Sequence, residues 1–567
     1  MLYPRLTLPA LLAIAAVLLA TARIASADAL DDLSRDFWAW RVVHQPVTGD
    51  DIPRVERPAG WLPDWSPESV AARRTVLAEF QRRWRAIDTS RLTVPQQVDH
   101  RLVGSAIARV RWELDLAPAW QRDPAFYIQQ ALGPTFEMLL PPTPFDAARA
   151  DAIAARLGNV PRIMQQARGN LTEARRPFAR LAIDTLEGID SRLAVLAREL
   201  DAVLPASHKG RMAAPAAGAG QALMEFRAWL QAREPQMPTD TAVGRDRYLA
   251  FLREVALLPH TPEELLAMGR QEWERAVAFE AIEQVRNRGL PPMPIFPSQA
   301  AQIARSAADE AAIRDFLESQ DLLTVPAWVK HYLNLPLPAY LAPISFLGVT
   351  DDLTGPSRLD QDGTSYIRVP SPSLPYFYLS TARDPRPIIV HEGVPGHYLQ
   401  LVLSWAHEDP IRRRYYDSGP IEGIAFYAEE MMLQAGLWAD SPRSREIIYS
   451  FMRLRALRVE VDVRLATGEF TIAQAADYLE NTVPMDRETA LEEAASFAAG
   501  PGQAITYQIG KVQLVRLLAD VRRARGAKFS LSEFHDFVWK NGNVPLSLLR
   551  WEMLNDRSEV DRLATLE

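Results

Sequence analysis

The sequence contains no cysteine in 567 residues. This absence excludes a disulfide framework, a thiol nucleophile and a lipid-modified cysteine at a mature N-terminus. Neither sign of charge is in strong excess, because 63 Lys and Arg residues oppose 71 Asp and Glu residues and leave a formal net charge of -8. A mildly acidic surface repels a phosphate backbone, so we expect no nucleic-acid partner.

Long apolar runs are also scarce, and the one near the N-terminus is short. It extends from Leu8 to Ala20, follows Arg5 and precedes Ala25-Ser26-Ala27. This pattern is typical of a secretory signal peptide, residues 1–27, cleaved before Asp28. A membrane anchor is the alternative, but a helix needs roughly 20 apolar residues to span a bilayer. We therefore expect an exported protein, periplasmic or extracellular, with no stable membrane anchor after cleavage.

Apolar residues recur at helical spacing through most of the chain, which predicts a mainly α fold. The predicted helices lie near 68–87, 95–115, 146–158, 160–203, 221–233, 245–257, 261–289, 420–438, 442–466, 471–480, 486–499 and 503–525.

Two other stretches suggest how the helices are organised. The segment 206–220 is rich in Ala and Gly, and it predicts a surface loop or hinge between an N-terminal helical lobe (28–210) and a second helical lobe (221–567). Short β-favouring runs at 365–369 and 376–380 predict a small sheet within about 340–390. The sheet would lie just before the segment 391–430, which carries the candidate metal site.

The segment HEGVPGHYLQ at 391–400 contains the side chains of a hydrolytic zinc site. Such a site needs protein ligands, an open position for water and a carboxylate that accepts the proton of that water. His391 and His397 are the candidate ligands. Glu392 follows the first His as Glu does in the H-E-x-x-H motif, where it is the general base.

The spacing of the two His residues differs from that motif. Six residues on an ideal helix turn the second imidazole about 120° away from the first. The intervening residues are Gly393-Val394-Pro395-Gly396, and Pro and Gly both permit an interrupted helix. We therefore predict a local bulge that returns His397 to the face of His391.

A third ligand is expected on a neighbouring helix, and the run 418–432 contains Glu422 near the start of one. Glu429, two turns later, shares its helix face. Metal-bound His usually donates its second N–H to a carboxylate or carbonyl, so Glu429 is a candidate for orienting an imidazole. Solvated surface carboxylates are the alternative for both residues.

Three blocks in this order resemble the signature of a bacterial family, domain of unknown function 885. They are HEGVPGHYLQ, EGIAFYAEE (422–430) and PGQAITYQIG (501–510), and the likeness extends over roughly 35–555. That family resembles the gluzincin metallopeptidases, including thimet-oligopeptidase-like and angiotensin-converting-enzyme-like members. The resemblance implies a two-lobed helical shell around a deep cleft.

The same resemblance implies roles for individual residues. His391, His397 and Glu422 would bind one zinc ion, and Glu392 would activate water. Tyr507 resembles the Tyr with which gluzincins hydrogen-bond the oxyanion. The family commonly carries an Arg-Tyr pair where this chain has Ser496-Phe497, a difference that bears on substrate recognition.

Several other residues are weaker candidates. His407 reads as a surface residue, and His331 and His535 read as packing or helix-end residues. The Arg residues 412–414, with Tyr415 and Tyr416, are either a carboxylate-binding group or a solvated basic turn.

The sequence thus predicts an exported zinc metallopeptidase that hydrolyses short peptides. A peptide-binding or structural protein of the same fold with weak catalysis, and a zinc amidase or esterase acting on other bonds, are the alternatives. The oligomeric state is not predicted.

Overall fold

The computed structural model describes residues 8–49, 53–483 and 485–566, with side chains from residue 26 onward. The fold is mainly α, as predicted. The α-helices, in chain order, are α1 (Leu8–His44), α2 (Pro67–Ala86), α3 (Val94–Arg111), α4 (Ala119–Arg122), α5 (Pro124–Leu139), α6 (Ala147–Asn170), α7 (Arg176–Thr185), α8 (Ile189–Leu200), α9 (Ala213–Arg233), α10 (Arg245–Ala250), α11 (Pro262–Arg286), α12 (Gln299–Ser319), α13 (Tyr376–Thr381), α14 (Arg386–Ile388), α15 (His397–Trp405), α16 (Pro410–Arg414), α17 (Ser418–Ala435), α18 (Pro442–Thr467), α19 (Ile472–Thr482), α20 (Arg487–Ala499), α21 (Thr506–Arg525), α22 (Leu531–Lys540), α23 (Leu546–Leu554) and α24 (Ser558–Leu563).

Shorter helical turns connect some of these elements. Among the described residues, turns of the 3-10 type lie at Thr89–Arg91, Ala206–His208, Glu234–Gln236, Ala342–Leu347 and Gly526–Lys528. π-helical turns occur at Trp112–Leu116, Phe251–Val255 and Ile389–Gly393. The last of these contains His391 and Glu392.

A small sheet precedes the predicted metal segment. Its strands are β1 (Tyr332–Pro336), β2 (Asp351–Asp352) and β3 (Gly363–Ile367), in the order β1-β3-β2. β1 is parallel to β3, and β2 is antiparallel to it. The sheet is confirmed, although β1 begins before residue 340.

Two local predictions are wrong. The run 376–380 is not a strand but part of α13. The ring of Tyr376 in this helix packs against the ring of Phe451, with centroids 5.9 Å apart. The predicted loop at 206–220 is helical from Ala213 onward. The small residues of this segment allow α9 to pack closely against α8, since a Cβ on Gly220 would lie 3.0 Å from the Cα of Asp190.

The signal-peptide prediction, residues 1–27, concerns a segment that the structure describes only in part. Residues 1–7 fall outside the described residues, and 8–25 are described by their backbone alone, within α1. The predicted cleavage site before Asp28 also lies within α1. Among the residues that the structure describes, no helix is both long enough and apolar enough to cross a membrane.

The largest apolar core extends along the chain from Leu30 to Leu563 and includes side chains of both predicted lobes, such as Leu196 and Ile421. The division of the chain near residue 210 stays a prediction. Around the predicted metal segment, α17 packs along α21, and α11 packs along α18. These four helices form the frame that holds the site.

Candidate metal centre

The helix that carries His391 is interrupted before His397. The π-helical turn Ile389–Gly393 is followed by an extended Val394 and a cis Val394–Pro395 bond, and α15 begins at His397. The indole Nε1 of Trp539 donates to the carbonyl of Pro395 at 2.6 Å. The predicted interruption between the two His residues is therefore confirmed. It is a break between two helices and not a bulge within one.

Glycine is required at the turn into α15 for a steric reason. A Cβ on Gly396 would lie 1.7 Å from the carbonyl oxygen of His391. The chain thus folds back on itself closely enough to bring the second imidazole beside the first, with ring centroids 4.7 Å apart.

Glu422 joins the two imidazoles. Its Oε2 lies 3.3 Å from Nε2 of His391 and 3.4 Å from Nε2 of His397. The three residues offer ligand atoms that all lie within 4.8 Å of one another. The two imidazoles are buried, and 12% of the Glu422 side chain is exposed.

These separations fit a tetrahedral zinc ion. Bonds of about 2.0–2.1 Å at tetrahedral angles place two ligand atoms about 3.3 Å apart. Several atoms of the cluster also have no hydrogen-bond partner among the described residues, namely Oε2 of Glu422, Oε2 of Glu392 and Nδ1 of His397. Buried polar atoms without partners are uncommon, and a cation would satisfy them.

Glu422 is held in its ionised form. Burial alone would raise its pKa, but the charge of His397 and the contacts with both imidazoles outweigh burial and hold the pKa well below its ordinary value. An ionised carboxylate is the form that binds a metal.

The position of Glu422 follows from a close contact between α17 and α21. A Cβ on Gly423 would lie 2.6 Å from the Cα of Gly510, so neither position admits a side chain without movement. The contact brings the start of α17, with Glu422, against the start of α21, with Tyr507.

Glu429 lies behind His391, in the position predicted for an orienting residue. Its Oε1 is 2.7 Å from Nδ1 of His391. The other partner of Glu429 is Arg455 of α18, whose Nη1 donates to Oε2 at 3.1 Å. Sequence reasoning missed Arg455, because it lies 64 residues from His391 and no spacing relates the two.

Glu392 is the one acidic residue of the cluster with a substantial opening to solvent, with 20% of its side chain exposed. Its Oε2 lies 3.8 Å from Nε2 of His397. Burial, with further contributions from the charges of Asp351 and Glu422, raises its pKa to about 8. A bound cation would lower that pKa again, because it stabilises the carboxylate.

Tyr507 stacks on the imidazole of His391, with centroids 6.1 Å apart and an interplanar angle of 15°. The guanidinium of Arg458 lies 4.8 Å from the ring centroid of Tyr507. The turn before Tyr507 is fixed by Asp462, which accepts from the backbone N–H of Gly502 at 2.9 Å and of Ala504 at 2.8 Å. Asp462 and Arg458 carry no local sequence signal and were also missed.

The remaining candidates lie away from the cluster. Nδ1 of His407 accepts from the backbone of Asp409, His331 contacts Glu310 at 2.8 Å, and His535 is fully buried between Tyr427 and the carbonyl of Leu322. A packing role is confirmed for His535, whereas His331 is exposed and lies just before β1.

Arg412 is not exposed to solvent, and its guanidinium is already paired with carboxylates of the protein. It is buried and donates to Asp99 at 2.9 Å and to Glu552. Of the pair at 496–497, Ser496 is exposed and Phe497 is buried, 5.5 Å from the guanidinium of Arg458.

Comparison with known proteins confirms the family resemblance, and the likeness to the gluzincins stays a prediction. The profile of the family described as bacterial protein of unknown function DUF885 matches residues 49–553. A search of curated proteins finds no match.

Solved structures with a similar fold include the following two. One is a candidate lipoprotein of unknown function from Shewanella oneidensis, 18% identical, with a TM-score of 0.68 over 94% of this chain and 99% of that one. The other is a candidate lipoprotein from Colwellia psychrerythraea, 15% identical, with a TM-score of 0.72 over 96% and 100%.

Proposed function

The chain belongs to the DUF885 family of bacterial proteins, and we propose that it is an exported zinc-dependent metallopeptidase that hydrolyses short peptides. The observation that carries this proposal is the approach of Glu422 Oε2 to the two Nε2 atoms, at 3.3 and 3.4 Å. Two imidazoles and one carboxylate form the ligand set of hydrolytic zinc sites with an open fourth position.

The metal contributes one part of the chemistry. When bound, Zn²⁺ acts as a Lewis acid that acidifies water and polarises a carbonyl group. His391, His397 and Glu422 would hold it. Other first-row ions also accept this ligand set, so the metal present in the cell depends on availability as well.

Glu392 supplies the general base in this proposal. It is partly open to solvent, its carboxylate oxygen has no hydrogen-bond partner among the described residues, and it adjoins His397. The carboxylate accepts a proton from the attacking water and passes it to the departing amine. This role is supported by a comparison with Glu422, which also has an oxygen without a hydrogen-bond partner among the described residues but whose side chain is less exposed, 12% against 20%.

Tyr507 is proposed as the donor that stabilises the oxyanion of the tetrahedral intermediate. A phenolic O–H next to the metal-binding imidazole can reach charge that develops on the carbonyl oxygen. The ring is held by the stack with His391 and by the guanidinium of Arg458, which favours a fixed orientation. The proposed set of two His residues and two Glu residues resembles that of the gluzincins.

Export is supported by the signal-peptide pattern and by the descriptions of the two structural neighbours as candidate lipoproteins. This chain contains no cysteine that could carry a lipid. We propose the periplasm or the extracellular space as its location. A peptide is the proposed partner.

The proposal is tested with the zinc-loaded protein and a set of short peptides whose products are identified by mass spectrometry. Glu392→Gln should retain zinc and lose about 10²–10⁴-fold in the rate of hydrolysis, because only the base is removed. Glu430→Gln is the matched control, since Glu430 is paired with Lys511 at 2.8 Å and not with a candidate ligand. Peptide cleavage that survives in Glu392→Gln would show that the assigned base is wrong.

Two other outcomes would identify the alternatives. Hydrolysis of amide or ester model compounds without cleavage of any peptide would favour an amidase or esterase. Tight peptide binding with no hydrolysis by the zinc-loaded wild type would favour a peptide-binding protein.

A further inference from the structure

Arg455 is a buried cation directly behind the candidate metal ligands. Only 4% of its side chain is exposed, and the side chain of its partner Glu429 is fully buried. Nη1 donates to Oε2 of Glu429 at 3.1 Å, and Nη2 lies 3.0 Å from Oε1 in an ion pair. A charge-assisted hydrogen bond together with a second close contact restricts where the carboxylate can lie.

Glu429 is the acceptor within reach of Nδ1 of His391. A carboxylate only accepts hydrogen bonds and a guanidinium only donates them. Nδ1 of His391 lies 2.7 Å from Oε1 of Glu429 and 3.3 Å from Nη2 of Arg455. With a metal ion on Nε2, Nδ1 would carry the hydrogen, and of these two neighbours only Glu429 can accept it.

The surroundings of Arg455 hold its guanidinium in place. Its central carbon lies 5.0 Å from the ring centroid of Phe426, 5.3 Å from that of Phe451 and 5.5 Å from that of Tyr507. Cation–π contacts with three rings leave little freedom to a buried guanidinium.

His397 has no comparable support. Its Nδ1 is buried and has no hydrogen-bond partner among the described residues. The two imidazoles thus differ, because only that of His391 is oriented by a carboxylate that is itself oriented by a cation.

We propose that Arg455 is a positioning residue for the metal, which holds Glu429 beside Nδ1 so that His391 can present Nε2 to the ion. This inference rests on the metal centre of the proposed function and adds a residue that contacts neither the ion nor the substrate. Outer partners of metal ligands typically contribute 10–100-fold, as an order of magnitude, to metal affinity.

The chain offers a matched control in Lys511. It is also buried, lies 4.5 Å from the same Phe426 ring, and donates to Glu430, the neighbour of Glu429, at 2.8 Å. Its second acidic contact is Glu272 at 3.4 Å. Neither carboxylate is a candidate metal ligand, so loss of Lys511 tests the effect of removing a buried cation alone.

The experiment measures Zn²⁺ affinity of the full chain by competition with a chromophoric chelator, and the absorption spectrum of the Co²⁺-substituted protein. Arg455→Met should bind Zn²⁺ about 10–100-fold more weakly than the wild type and should shift the Co²⁺ bands. Lys511→Met should keep the affinity and the spectrum of the wild type, although both variants lose thermal stability.

Arg455→Lys provides a second variant if Arg455→Met does not fold. It keeps the buried charge but not the planar guanidinium that places one nitrogen near each oxygen of Glu429, so we expect an affinity between those of the wild type and Arg455→Met. Wild-type affinity in Arg455→Lys, or an equal loss of affinity in Lys511→Met and Arg455→Met, would overturn the inference. A wild-type protein that binds neither Zn²⁺ nor Co²⁺ would instead refute the proposed function, and the inference with it.

Discussion

The chemistry of the site resides in a few side chains, and local sequence revealed only those within recognisable motifs. His391, Glu392 and His397 lie within seven positions, and Gly and Pro between them predicted the interruption that the structure contains. From α18, Arg455 contacts Glu429, 26 residues away along the chain, and Asp462 contacts Gly502, 40 residues away. No periodicity marks a residue whose partners are defined only by tertiary packing.

Gly396 provides the first test at the residue scale. In Gly396→Ala the new Cβ would lie 1.7 Å from the carbonyl oxygen of His391, so the turn must open and His397 must move. We expect a loss of zinc binding and a loss of about 1–3 kcal/mol in the free energy of unfolding, typical of overpacking. Zinc content and urea unfolding measure the two effects.

The control is Gly158→Ala. Gly158 lies within α6, and a Cβ there would meet nothing within 4 Å. This change should be neutral or stabilise the helix by about 0.5–1 kcal/mol. Normal zinc binding by Gly396→Ala would contradict the structural account of the turn.

The raised pKa of Glu392 predicts how the free energy of unfolding of the metal-free protein depends on pH. Its pKa is raised from 4.5 to about 8 in the folded state, mainly by burial. Between these values the folded state retains a proton that the unfolded state has lost. The contribution of Glu392 is therefore full below pH 4.5 and is lost as the pH rises towards 8, by at most about 1.4 kcal/mol per pH unit.

Glu392→Gln should remove this dependence. Urea unfolding in the presence of a chelator, at pH 5, 6.5 and 8, should give a smaller decline in stability for the variant than for the wild type. Parallel declines in the two proteins would mean that the surroundings of Glu392 do not raise its pKa in the folded state. Saturation with zinc should reduce the difference, because the cation favours the ionised carboxylate.

At the scale of helices and strands, the helix predicted near 261–289 is confirmed as α11. Thr261 and Glu264 form a capping box at its start, and it ends at Arg286 and not at Gly289. The stretch 206–220 was misread because Ala and Gly are typical both of flexible linkers and of closely packed helices. Aromatic residues at 376–380 favour strands, but packing against α18 determines a helix there.

The crossing of α17 and α21 is the element on which the site depends most. Gly510→Ala would place a Cβ 2.6 Å from the Cα of Gly423 and would separate the helices that carry Glu422 and Tyr507. We expect a lower rate of hydrolysis and a loss of about 1–3 kcal/mol in stability. Steady-state kinetics and thermal unfolding are the measurements.

Gly218→Ala is the comparison for that change, because Gly218 lies in α9 and a Cβ there would meet nothing within 4 Å. It should retain full activity. An active Gly510→Ala protein of wild-type stability would show that the close crossing is not needed.

For the whole molecule, composition and periodicity predicted a mainly α protein, and the family match covers residues 49–553. Composition and periodicity could not predict how the site is assembled, because its residues come from different parts of the chain. They lie on the interrupted helix that carries His391 and His397 and on α17, α18 and α21. Helical periodicity identifies the buried face of each helix but not its partner. Its place near the start of a predicted helix makes Glu422 a candidate, and the sequence resemblance implies its role and that of Tyr507.

Zinc stoichiometry tests the central claim most directly. The wild-type protein, purified without chelators and analysed by elemental mass spectrometry, should contain one zinc ion per chain. His391→Ala should contain none, whereas His331→Ala, which alters a His outside the cluster that contacts Glu310, should retain the full amount. A wild-type chain that binds no zinc, or zinc retained in full by His391→Ala, would contradict the proposed metal centre.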